Sequence, residues 1–146
     1  MNDLLAGFPV IVEQAVVWGE MDSYRHVNNV VYFRYFENGR LEYFRRLGWD
    51  EIEHQTGVGP ILAATSARFR KPLTYPDTIA IGTRVASLAE DRFVLKHVIV
   101  SRKLNAVVTE GEGTIVAFHY KSGKKASIPE ELRKRIAALE ASSHTG

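Results

Sequence analysis

Met21–Arg40 reads Met-Asp-Ser-Tyr-Arg-His-Val-Asn-Asn-Val-Val-Tyr-Phe-Arg-Tyr-Phe-Glu-Asn-Gly-Arg. Its first part is polar and carries the acidic residue Asp22. Its second part is apolar nearly all round. Val30-Val31-Tyr32-Phe33 has the composition of a strand, but three signals favour a helix over Asn29–Leu47. Asn28 is placed to cap first-turn amides. Phe33, Phe36, Arg40, Phe44 and Leu47 recur at helical spacing. Arg45, Arg46 and then Gly48 form a good C-terminal end. An all-round apolar first half suits a helix buried against a sheet. Gly39 inside it is expected where that sheet approaches closely.

Outward from the helix the pattern is that of strands. Val10–Trp18 reads as a strand, buried on both faces in places. Trp49–Gly59 reads as a connection with a short helical turn. Strands are predicted over Ile61–Lys71, Ile79–Leu88, Phe93–Ser101 and Val107–Tyr120, with Gly111 and Gly113 as bulge or bend positions. Turns are expected at Tyr75-Pro76-Asp77, Glu90-Asp91 and Leu104-Asn105. Ser127-Ile128-Pro129-Glu130 resembles a capping box opening a last helix to about residue 141, with Leu132, Ile136 and Leu139 as its apolar stripe. Residues 142–146 are expected to fray. Four strands joined in succession by short turns predict an antiparallel sheet of about five strands packed on one long helix, an α+β fold in a single domain over 1–146.

The chain has 146 residues, a net charge of +2 and no cysteine. The length is enough for a sizeable core. The slight charge disfavours a nucleic-acid binder. Without cysteine there is no disulfide, no thiolate metal site and no cysteine nucleophile. No apolar run has the length of a membrane span. The N-terminus has no basic region ahead of an apolar core, so a cytoplasmic location is expected. Neither a cofactor nor a metal is expected.

A first strand, then Asp-x-x-x-His-Val-Asn-Asn, then Tyr-x-x-Tyr-x-Glu-x-x-Arg in the helix, is a recognisable combination. Here the residues are Asp22, His26, Val27, Asn28, Asn29, Tyr32, Tyr35, Glu37 and Arg40. The pattern resembles the hotdog-fold acyl-CoA thioesterases of the 4-hydroxybenzoyl-CoA thioesterase type, over about Val10–Tyr120. The resemblance implies a central helix wrapped by a curved sheet and subunits paired edge to edge in homodimers or homotetramers. It also implies an acyl-CoA held in a cleft between subunits, with Asp22 at the family's catalytic acid position.

The residues support a chemistry of their own. With no cysteine and no Gly-x-Ser-x-Gly elbow, a carboxylate acting on water or as direct nucleophile is the simplest route to thioester hydrolysis. Asp22 stands just before the helix. The first-turn amides over Asn28–Val30 lack intrahelical partners and sit at the positive end of the dipole. A carbonyl placed there gains roughly 3 kcal/mol per well-placed donor in the transition state. The other reading of Asp22 is a loop aspartate capping a turn. His26 has two readings, a group orienting water or contacting substrate, and a loop histidine held by a backbone bond. Asn29 is a candidate for contact with water or substrate. Asn28 reads chiefly as a cap. Glu37 is the rival carboxylate, and its spacing to Arg40 suits an ion pair. Tyr32, Tyr35, Trp18 and Phe36 suit core and interface packing, with lining of an acyl pocket by these aromatic side chains as the alternative. For the phosphates of coenzyme A, Arg68 and Arg70 on one strand face are the first choice. Lys71, Arg102, Lys103, Lys121, Lys124 and Lys125 are other cations. Competing readings are a non-catalytic acyl-CoA binding module and a hotdog dehydratase or hydratase.

Overall fold

The computed structural model describes residues 3–143. Its strands are β1 (Val10–Ala15), β2 (Val58–Phe69), β3 (Thr78–Leu88), β4 (Arg92–Ser101), β5 (Ala106–His119) and the two-residue β6 (Lys124–Lys125). Its helices are α1 (Asn29–Leu47), α2 (Trp49–Thr56) and α3 (Glu130–Ser142). The strands form one antiparallel sheet in the order β1-β3-β4-β5-β2, with β6 on β5.

Helix α1 occupies the span read from the sequence. Asn28 caps it by accepting the Val30 amide at 3.0 Å. Gly48 ends it at φ +66°, in the left-handed region that favours glycine. Arg135 of α3 donates from Nη1 to the Leu47 carbonyl at 2.9 Å, so one orphan carbonyl of that end is satisfied from another element. The buried face of α1 carries Tyr32, Tyr35, Phe36, Arg40, Tyr43 and Leu47. The N-terminal half packs with Leu73, Ile79, Ile81, Ile99 and Val108. The C-terminal half packs with Trp49, Ile52, Phe93, Leu95, Ile115, Leu132 and Ile136. Gly39 lies against β3, where an added Cβ would stand 2.5 Å from Thr83 Oγ1 and 3.0 Å from Ile81 Cγ2.

Several boundaries differ from the sequence reading. Strand β1 stops at Ala15, and Trp18–Glu20 forms a 3-10 turn. The Glu20 side chain takes the Val17 amide at 2.8 Å and so draws that segment out of the strand. Alternate residues of β1 are exposed, and on its other face Val10 is buried while Val12 and Gln14 are half-buried, so no stretch of it is buried on both faces. The connection after α1 is a two-turn helix with Trp49 and Ile52 buried. The capping box at Ser127 does not form. Helix α3 starts at Glu130 after Pro129, and Ser127 donates its hydroxyl to Glu90 at 3.3 Å. The stripe of α3 is as read, with Leu132 and Ile136 buried and Leu139 packed beside them. Helix α3 also continues through Ser142, and the rest of the expected frayed end, 144–146, lies outside the described residues.

The register shifts lie between Leu62 and Ala64, Val85 and Ser87, and Ile99 and Val100, not at Gly111 or Gly113. Gly111 instead gives room to the Phe36 ring, which an added Cβ would strike. The largest departure is the link between β2 and β3. These strands are not neighbours, and residues 70–77 cross between them. That crossing brings the Leu73 carbonyl to the Val27 amide at 2.9 Å, just ahead of α1. The Tyr32 hydroxyl accepts the Leu73 amide at 3.2 Å.

Candidate active site

The loop between the 3-10 turn and α1 is closed on itself. Met21 bridges Val27. The Asp22 amide donates to the His26 carbonyl at 2.8 Å, and the Arg25 amide to the Asp22 carbonyl at 3.0 Å. Arg25 takes φ +65°, which lets the chain turn back in so few residues. The Asp22 side chain belongs to this turn through Oδ1 alone, which accepts the Tyr24 amide at 2.8 Å and the His26 amide at a long 3.5 Å. Among the described residues nothing bonds to Oδ2. The turn-capping reading of Asp22 is therefore met by Oδ1. One oxygen builds the loop and the other is open.

The amides at the helix start are mostly taken. Asn28 N–H donates to the Glu20 carbonyl at 3.0 Å, and Val31 N–H to the Asn28 carbonyl at 2.9 Å. Val30 N–H goes to the Asn28 side chain. The Asn29 N–H has no acceptor among the described residues. The group of free donors read from the sequence narrows to this one, at the positive end of a 19-residue helix.

A cleft of about 310 Å³ is lined by Asp22, Tyr24, His26, Val27, Asn29, Tyr32, Phe69, Arg70, Lys71 and Pro72. The structure thus brings Asp22, His26, Asn29, Tyr32 and Arg70 together. His26 is exposed, joins the loop through its backbone and is among the residues lining the cleft. Tyr32 lies edge-on to Phe69 at 5.0 Å. Burial raises the Tyr32 pKa, the Leu73 amide lowers it, and the charge of Asp22 raises it again.

Four residues considered from the sequence for contact with substrate, Asn28, Val30, Glu37 and Arg68, do not line this cleft. Asn28 is spent as the cap, and Val30 is 74 % exposed outside the cleft. Glu37 is exposed on α1 and forms no ion pair with Arg40 among the described residues. Arg40 is itself buried, which lowers its pKa against the opposing charge of Glu37. Arg68 shares a different depression with Lys96, Glu110 and Glu112. The physical reason is that β2 ends at Phe69. The Arg70 and Lys71 amides both turn to the Val108 carbonyl, at 2.8 and 3.1 Å, and the period-two alternation stops there. Arg70 pairs with Glu110 at 2.7 Å, which holds that carboxyl below its usual range. Lys71, a secondary choice in the sequence, has no ion-pair partner among the described residues and lies in the cleft. Tyr24 and Phe69 were not singled out by the sequence as cleft residues. For Phe69 the available signal is an aromatic at a strand end, next to Arg70.

Comparison with known proteins agrees with this architecture. The family model described as Thioesterase-like superfamily matches residues 16–136. A thioesterase from Thermus thermophilus solved with coenzyme A and Zn is 30% identical, with a TM-score of 0.81, covering 92% of this chain and 96% of that one. The long-chain acyl-CoA thioesterase FadM of Escherichia coli K12 is 23% identical over 127 residues, 82% of this chain and 90% of FadM. A DHNA-CoA thioesterase from Staphylococcus aureus shares the fold, at 22% identity and a TM-score of 0.77, covering 91% of this chain and 93% of that one. Among the described residues no helix is long and apolar enough to cross a membrane. With its long helix wrapped by a curved antiparallel sheet and its family match over 16–136, the chain belongs to the Thioesterase-like superfamily of hotdog-fold thioester hydrolases.

Proposed function

We propose that the chain hydrolyses acyl-CoA thioesters with Asp22 as the acting carboxylate and the Asn29 N–H as the donor to the carbonyl oxygen. The observation that supports this is that Asp22, whose Oδ2 is unbonded among the described residues, and Asn29, whose N–H has no acceptor there, line one cleft. The donor is fixed by the helix and needs no reorganisation as charge develops on the oxygen. Asp22 either takes a proton from water or attacks the carbonyl itself. His26 and Asn29 line the same cleft, and their side chains are of the type that orients water. Lys71, and Arg70 beyond its pair with Glu110, supply positive charge for coenzyme A phosphates. Coenzyme A in the Thermus thermophilus relative and the acyl-CoA substrate of FadM support this carrier.

Self-association fits the same reading. β2 is an edge strand whose residues 62–66 are exposed, next to an α1 flank with Leu41 56 % exposed. An open edge with apolar neighbours is a template for a second copy.

The test is release of free thiol from a panel of acyl-CoAs. Asp22→Asn and Asp22→Ala are expected to lower kcat by about 10²–10⁴-fold with the fold intact. Unchanged turnover in either variant would remove Asp22 from the chemistry. Loss of turnover in Glu37→Ala alone would move the role to the helix carboxylate.

A further inference from the structure

Asp22 lines two depressions. Besides the cleft described above, it stands at the wall of an open groove of about 650 Å³, lined with Trp18, Gly19, Met21, Arg25, Thr74 and Tyr75. The two spaces differ in character. The cleft has polar and cationic walls: His26, Asn29, Arg70 and Lys71. The groove is predominantly apolar, with Trp18 71 % and Tyr75 46 % exposed. Trp18 is one of two tryptophans in the chain, and the other, Trp49, is buried with its ring N–H donated to the Val58 carbonyl at 3.0 Å. A large aromatic ring left in water beside a carboxylate is a cost that folding alone does not require.

The groove walls are held in place. The 3-10 turn that carries Trp18 is fixed by Glu20, which accepts the Val17 amide at 2.8 Å and the Tyr35 hydroxyl at 2.9 Å. The opposite wall is tied across the groove, where the Tyr75 amide donates to the Met21 sulfur at 3.3 Å. Trp18 and Tyr75 are thus presented on a preformed frame. Preorganisation of this kind favours binding, because little ordering remains to be done.

Asp22 stands where a thioester would divide. The two groups attached to the reacting carbon, the acyl body and the sulfur of the carrier, must run in different directions. The carbonyl oxygen is directed into the cleft by the Asn29 N–H, and the cations of the cleft suit the polyanionic carrier. Resting on the reading of Asp22 given above, we propose that the groove of Trp18, Met21 and Tyr75 is the acyl subsite. It takes an acyl group with a bulky apolar body, and Trp18 sets the preference for such groups over acetyl. A groove lined by aromatic rings and a thioether gains from being filled with apolar surface, because that surface leaves water.

Two measurements test this. The first is kcat/KM for octanoyl-CoA, phenylacetyl-CoA and acetyl-CoA. The bulky substrates are expected to be preferred, and Trp18→Ala and Tyr75→Ala are each expected to reduce the bulky-to-acetyl ratio by about tenfold or more. A ratio that stays the same in both variants overturns the proposal. The second needs no turnover. In Asp22→Asn protein, tryptophan fluorescence is followed while an octanoyl-CoA thioether, which has no cleavable thioester, is titrated in. Quenching by the thioether that coenzyme A alone does not cause, and that Trp18→Phe removes, is the expected result. Quenching that persists in Trp18→Phe, or none at all, overturns the subsite. If no thioester is hydrolysed but the quenching is found, the groove stands and the hydrolytic reading falls.

Discussion

The Tyr35 hydroxyl donates to Glu20 Oε1 at 2.9 Å and so joins the second turn of α1 to the 3-10 turn ahead of the site loop. Tyr35 is fully buried, and burial followed by the bond to Glu20 raises its pKa far above the usual phenol range. The same Glu20 presents its carbonyl to Asn28 N–H. One residue therefore sets the distance between Asp22 and the helix start.

Removing that tie is expected to loosen the site. Tyr35→Phe leaves the packing in place and deletes only the bond, so stability should fall by about 1–3 kcal/mol, the scale of a hydrogen bond to a charged acceptor. Urea unfolding measures it. Thiol release should show kcat falling while KM stays near its wild-type value, and Glu20→Gln, which keeps an acceptor, should lose less than Tyr35→Phe. Equal falls in kcat for Tyr35→Phe and for a buried Tyr43→Phe would assign the effect to general destabilisation instead.

Gly39→Ala sets two effects against each other. Alanine is the better helix former by about 1 kcal/mol. The new Cβ, however, would stand 2.5 Å from Thr83 Oγ1. Thr83 cannot swing away freely, because that oxygen is 2.9 Å from His97 Nδ1 and the residue is fully buried. Overpacking of about 1–3 kcal/mol should win. Urea unfolding is expected to show net destabilisation, and a double variant with Thr83→Ala should be less than additive.

His97 makes stability depend on pH in one window. Its ring is fully buried, stacked on Phe36 at 5.0 Å, with Nε2 unpartnered among the described residues. Burial, and then the charge of Arg40, hold its pKa down to about 3 from 6.5. The folded state thus keeps His97 neutral while the unfolded chain takes a proton below about pH 6.5. Between about pH 6.5 and 3 the unfolded state binds the extra proton, so stability falls as pH falls, by up to about 1.4 kcal/mol per unit from this group. Above that window His97 contributes no slope. Urea titrations of wild type and His97→Gln from pH 8 to 4 check it. The variant is expected to have the shallower slope, and identical slopes would refute the assignment.

Local chemistry in the sequence was sufficient for α1. Asn28 and Gly48 act within a turn of themselves, and the close approach at Gly39 follows from a glycine in an otherwise strong helical pattern. The meander β3-β4-β5 was legible for the same reason, since short turns force neighbours together. The position of β2 at the far edge was not. Its alternation is compatible with a hairpin to β3, and only the packing of 70–77 over the helix start decides otherwise. The site followed the same division. Asp22 was legible as a loop carboxylate. The singling out of the Asn29 N–H was not, because the Asn28 N–H is claimed by the Glu20 carbonyl, which precedes the site loop. Arg68 was grouped with Arg70 by extending the alternation past the true end of β2.

Lys71 and Arg68 offer a direct comparison. Lys71 stands in the cleft and Arg68 outside it. Lys71→Ala is expected to raise KM for acyl-CoA several-fold at low salt, with the difference shrinking as ionic strength rises and screens the phosphates. Arg68→Ala should change KM less than twofold. Steady-state kinetics at two salt concentrations tests both, and the reverse order would return the phosphates to the outer depression.

Asn29 permits a substitution that separates backbone from side chain. It is the first residue of α1, where proline is well tolerated because the missing N–H has no intrahelical partner. The preceding Asn28 already has φ −62° and ψ 138°, the extended conformation that a following proline requires. Asn29→Pro should therefore fold normally, with circular dichroism and urea unfolding close to wild type, while deleting the one unclaimed amide. If that amide polarises the thioester carbonyl, kcat should drop by about 10²–10³-fold. Asn29→Ala keeps the N–H and removes only the side-chain amide, so its loss of kcat should be much smaller. A proline variant that turns over as fast as the alanine variant would show that the helix start does not supply the donor.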